Sequence, residues 1–177
     1  MTAPSPHLVE KFEIPRAILW GGLICGVLDI TSAFIDAGIQ YGMTPLRLLQ
    51  VVASALLGPA SYNGGLATAA LGLAMHFTVA FTATTIFYLA SRRFPILLKW
   101  PVISGPLYGA LVFIVMYRVT IPLTIALKSL YLMNVNHTLP KLGLSQFGIH
   151  LVCVGLPIAL TVRRFATTAA RIATDED

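Results

Sequence analysis

The chain has 177 residues, 56% of them hydrophobic and 11% charged, with a mean hydropathy of +0.81. A soluble domain carries about 25% charged residues because water must wet its surface, so this composition argues against a soluble fold and leaves no length for a separate catalytic module. The net charge of +5 and pI near 9.5 do not point to nucleic acid, because the basic residues flank apolar runs instead of forming a patch.

Residues 1–15 mix Glu10, Lys11 and Glu13 with prolines and read as a cytoplasmic segment without a cleavage site, so the first helix is expected to stay as an anchor. A membrane-crossing helix needs about 20 apolar residues, and the first such run covers residues 16–40. Thr44-Pro45 then reads as an N-cap followed by proline at the first helical position, and Gly58-Pro59 as a stop. The helix between them, residues 44–58, is too short to cross. Its Arg47, Gln50 and Ser54 fall on one stripe, which predicts an interfacial helix on the external face with that stripe toward water. The alternative is a re-entrant half-helix whose N-terminal end faces an anion. Further spans are expected at residues 66–90, 102–127 and 145–162, with an external connection over 128–144 and a cytoplasmic tail over 166–177. The fold class is therefore all-α: a polytopic membrane protein with a four-transmembrane-helix bundle at residues 16–165 plus one short interfacial or re-entrant helix.

Basic residues give the orientation. Lys11, Arg16, Arg92, Arg93, Lys99, Arg163, Arg164 and Arg171 fall on one side, against Arg47, Lys128 and Lys141 on the other. The excess predicts that both termini and the 91–100 connection are cytoplasmic.

Ionisable groups inside the spans are the candidate site. Asp29 and Asp36 lie in the first span, His76 in the second, Arg118 in the third and His150 in the fourth. A charge at mid-bilayer costs at least about 2.5–3.5 kcal/mol on insertion scales, so each needs a partner or water. A buried polar cluster is expected, with Arg118 paired to Asp29 or Asp36. Small residues mark close helix contacts: Gly22 and Gly26, Gly72 at the head of a stripe through His76, Ala80 and Thr84, and Gly105 with Gly109. Cys25 and Cys153 lack metal-ligand spacing and read as packing residues. No Walker, GxSxG or HExxH pattern is present, so no enzyme is expected.

From His76 onward the order of elements resembles the YagU-like family of bacterial inner-membrane proteins. The likeness rests on His76-Phe77-Thr78-Val79-Ala80-Phe81 running to Phe94-Pro95, on Gly105 and Gly109 leading to Ile121-Pro122-Leu123, and on Ile149-His150-Leu151-Val152 closing at Arg163-Arg164. It covers about half of the chain. It implies a bacterial inner membrane and a part in acid tolerance, but no reaction. Arg118 departs from it, standing where the family has a histidine nearby, and the first span and a long external insertion do not carry over.

Three readings of function follow. The first is a non-enzymatic membrane protein whose Asp/Arg/His cluster handles protons or a small polar solute. The second is an accessory subunit or assembly factor that meets a larger complex, or a second copy, through its GxxxG faces and the short helix. The third is a haem b carrier with His76 and His150 as axial ligands. The structural alternative to all three is an ion pair that merely fixes helix register.

Overall fold

A computed structural model describes the backbone of residues 6–129 and 143–174, and the side chains of residues 16–126 and 143–166. Most of the expected external connection, residues 130–142, and the acidic end at 175–177 lie outside the described residues. The elements are α1 (Pro6–Tyr41), α2 (Pro45–Leu57), a 3-10 segment (Gly58–Asn63), α3 (Gly65–Arg93) and α4 (Ile96–Lys99). They continue with α5 (Pro101–Val115), a π segment (Met116–Thr120) and α6 (Ile121–Ser129). The last are α7 (Leu144–Ile149), a second π segment (His150–Gly155) and α8 (Leu156–Thr174). Helix α1 starts ten residues before Arg16, and α8 runs past the expected end at Val162.

Four helices are long and apolar enough to cross a bilayer: Arg16–Tyr41, Gly65–Arg93, Pro101–Ala126 and Leu144–Ala166. Without water in the hydrocarbon layer, backbone polar groups must pair within the segment, which makes helices of β-branched sequence that would otherwise be poor formers. The same rule governs the hydroxyls of α3. Thr78, Thr82, Thr84 and Thr85 donate to the carbonyls four residues back at 2.7–2.9 Å, so none demands a partner from lipid. The large apolar side chains point outward, Ile39 and Leu66 being 80% exposed and Leu144 89%. The interior is built mostly from small residues around Phe87, Ile158 and Val162. That inside-out distribution suits lipid as the surrounding medium.

Packing is closest where glycine stands. Helix α1 lies along α3 and α8, with Gly22 against the Phe81 ring and Gly26 against the Phe77 ring and Ala80. The third and fourth spans meet backbone to backbone. A side chain at Gly109 would overlap the His150 carbonyl, and one at Gly155 would overlap the Gly105 carbonyl and the Gly109 nitrogen. Spans two and three, by contrast, diverge over most of their length. Across that seam the Tyr108 hydroxyl donates to the Ala83 carbonyl at 2.7 Å, and the Phe87 and Tyr108 rings meet edge to face.

Both π segments sit just before a proline inside a span, Pro122 and Pro157. Proline has no N–H for the carbonyl four residues back, and its ring crowds that carbonyl, so the preceding turn widens.

Helix α2 begins as its sequence indicates, with Thr44 Oγ1 accepting from the Arg47 amide at 3.3 Å and Gly58 ending it at φ 60°. The orientation of its polar stripe is a correction. Gln50 is buried and donates from Nε2 to the Gly65 carbonyl at 3.3 Å. Ser54 donates to its own helix at Val51 (2.6 Å), and the Arg47 guanidinium lies over the Tyr62 ring at 3.7 Å. The stripe thus serves the turn into α3 and not bulk water, because a buried carbonyl and a buried amide satisfy each other. Gly72 lets this happen: a side chain there would overlap the Leu49 carbonyl of α2.

Candidate functional site

His76 is the fixed point of the site. Its Nε2 lies 2.9 Å from the Gly26 carbonyl. A carbonyl can only accept, so Nε2 carries the hydrogen and Nδ1 is the free position of the neutral ring. Nδ1 faces Asp29 Oδ2 at 3.9 Å, with the two side chains 13% and 20% exposed. That separation is too long for a hydrogen bond but within the range of an ion pair once the ring is protonated. Gly26 makes this geometry possible, since only a bare backbone lets α3 come close enough for a ring nitrogen to reach the α1 carbonyl. The ring also stands edge to face on Phe77, which limits its rotation.

Asp29 and His76 open on a cavity of about 200 Å³ that all four spans and α2 line. His150 belongs to the same wall, as do Cys25, Met116 and Thr120. His150 Nδ1 donates to the Gln146 carbonyl at 2.8 Å, which leaves Nε2 as its acceptor, and Phe113 braces the ring edge to face. Met116, Thr120 and His150 all come from the two π segments. Such widened turns recur at functional sites because they change which side chains face inward.

Asp36 is placed elsewhere. Its Oδ1 accepts from Gln40 Nε2 (2.6 Å) and its Oδ2 from Gln146 Nε2 (2.7 Å), while Gln40 also donates to Ser145 (2.8 Å). This clamp ties the end of α1 to the start of the fourth span. The hydrogen bonds hold the Asp36 carboxylate in place without any cation among the described residues.

The expected pairing of Arg118 with Asp29 or Asp36 is not formed. Arg118 is exposed on the outer side of the third span. At about 100° per residue it lies about 180° round the helix from Gly109, whose face meets the fourth span, so the ion pair was excluded by angle. The aspartates take His76 and two glutamines as neighbours instead.

The structure therefore brings Asp29, His76 and His150 together and separates Asp36 and Arg118 from them. Sequence reasoning missed Gln40, Ser145 and Gln146, and also Gly155. Uncharged amides barely disturb a hydropathy profile. The prolines at 122 and 157, each inside a span, were the available sign of the π turns. Ser32 and Cys153 form a further cross-span contact at 3.3 Å (Oγ to Sγ).

Haem does not fit these residues. The two histidines line one small cavity that cannot take a porphyrin, and His76 Nε2 already serves Gly26. No family model, curated protein or solved structure matches the chain.

Proposed function

We propose that this chain is a non-enzymatic, four-helix protein of a bacterial cytoplasmic membrane, both ends cytoplasmic, that handles protons at the Asp29–His76–His150 cavity. The observation that supports this reading is the His76 ring, hydrogen-bonded through Nε2 to Gly26 and presenting Nδ1 to a carboxylate 3.9 Å away. A proton there can sit on the imidazole, giving a neutral ion pair, or on the carboxylate, giving two neutral groups. Either state avoids the lone buried charge that a bilayer penalises. His150, on the wall nearer the external side, offers a second acceptor along the same cavity.

On this reading α2 is a re-entrant helix. It packs on α3 at Gly72, seven residues or about 10 Å in from Gly65, which is a depth inside the layer and not on its surface. The resemblance of residues 76–164 to the YagU-like family agrees with a bacterial inner membrane and a role in acid tolerance. The accessory-subunit reading is weakened because Gly22, Gly26, Gly105 and Gly109 are already covered by the chain's own helices.

The test is proton flux into liposomes that enclose a pH-sensitive dye, driven by a potassium diffusion potential. The wild-type protein is expected to acidify the lumen faster than protein-free vesicles. Asp29→Asn and His76→Ala are expected to abolish the difference while retaining helical circular dichroism. Variants that conduct like the wild type would remove the proposal.

A further inference from the structure

The cavity opens sideways. Between spans two and three runs an apolar groove of about 290 Å³, whose walls at Val79, Ala83, Val112, Met116 and Thr120 are also walls of the Asp29–His76–His150 cavity. Past Tyr108 it joins a second apolar hollow of about 610 Å³ that reaches Trp100. From Thr78 to Ala90 the α3 side of this path is about 18 Å long.

The polar end has one hydrogen-bonding character. Gly26 holds the His76 hydrogen on Nε2, Gln146 holds the His150 hydrogen on Nδ1, and Asp29 has only oxygens. With both rings neutral, the three groups offer acceptors and a net negative charge. An anionic head such as a phosphate or sulfate finds no donor there, whereas an ammonium meets both charge and lone pairs. Resting on the acceptor cavity proposed above, we infer that this site takes a single-chain amphiphile with an ammonium head, the head beside Asp29 and His76 and the alkyl chain along the groove between spans two and three.

Two tryptophans make the test direct, because Trp100 lines the far end of the groove and Trp20 lies on the first span. In Trp20→Phe protein in zwitterionic nanodiscs, a long-chain alkylammonium brominated along its chain is expected to quench Trp100 fluorescence saturably. Unbrominated alkylammonium is expected to relieve the quenching, and an alkyl sulfate of equal length is not. Asp29→Asn is expected to weaken binding at least tenfold. Val112→Phe, at the portal, and Val115→Phe, on the exposed side of the groove where folding is least at risk, are each expected to abolish saturation. Equal competition by amine and sulfate, or quenching indifferent to Asp29→Asn, would overturn the inference. The two proposals fail separately. Asp29-dependent proton flux without amine selectivity overturns this inference alone, and selective amine binding without flux overturns proton passage alone.

Discussion

Replacing Gly155 with alanine adds one methyl group where the third and fourth spans touch. The new carbon would overlap the Gly105 carbonyl and the Gly109 nitrogen and stand 2.8 Å from the Gly109 Cα. Carbon atoms rest at about 3.5–4.0 Å, so the two backbones must part by about 0.7–1.2 Å. No flexible side chain can yield in their place, because these partners are main-chain atoms. Overpacking of this kind costs about 1–3 kcal/mol, and alanine returns about 0.5–1 kcal/mol of helix propensity, for a net loss of about 1–2 kcal/mol. Gly148→Ala is the internal control. Nothing lies within 4 Å of a side chain there, so the same chemical change in the same span should stabilise by about 0.5–1 kcal/mol. Reversible unfolding in mixed micelles, titrated with dodecyl sulfate and followed by far-ultraviolet circular dichroism, reads both. A Gly155→Ala protein as stable as the wild type would refute the glycine contact between the spans.

Arg118→Leu should change stability by no more than about 0.5 kcal/mol in the same assay and leave proton flux intact, since the side chain is exposed. A loss of about 3–5 kcal/mol would reveal a broken buried ion pair. Pro157→Ala should let the helix ladder close through residues 150–155, turn His150 by about 100°, and lower proton flux at least tenfold with stability unchanged or raised. Unaltered flux would disconnect the π turn from the cavity. Gln146→Leu removes a hydrogen bond to the Asp36 carboxylate and should cost about 1.5–3 kcal/mol, and a change under 0.5 kcal/mol would show that the clamp does not hold α1 to the fourth span.

Hydropathy located all four spans to within a few residues, because twenty apolar residues in a row have few alternatives to a membrane helix. Thr44 and Gly58 likewise marked α2, since caps are local chemistry. What failed was direction around the helix axis. The stripe through Gln50 was assigned to water because polar residues of a soluble helix face solvent, yet here the medium outside is apolar and the unsatisfied carbonyl at Gly65 lay within. Arg118 was grouped with the aspartates by depth alone, although counting from Gly109 placed it on the far side. His76 and Asp29 were readable together, being on the small-residue faces of neighbouring spans. The π turns that bring His150 and Met116 to the same wall were hidden, because a wheel of constant pitch cannot represent a turn that a proline has loosened.

The parted seam between spans two and three leaves one wall of the interior unbuilt by protein. Whatever hydrocarbon lies against Tyr108 and Leu111 completes it. Chain length, unsaturation and lateral pressure in the surrounding leaflet thereby become structural variables of the cavity, as a residue would be. Reconstitution in short, saturated lipids and in long, unsaturated ones should yield differently sized interiors from the same polypeptide.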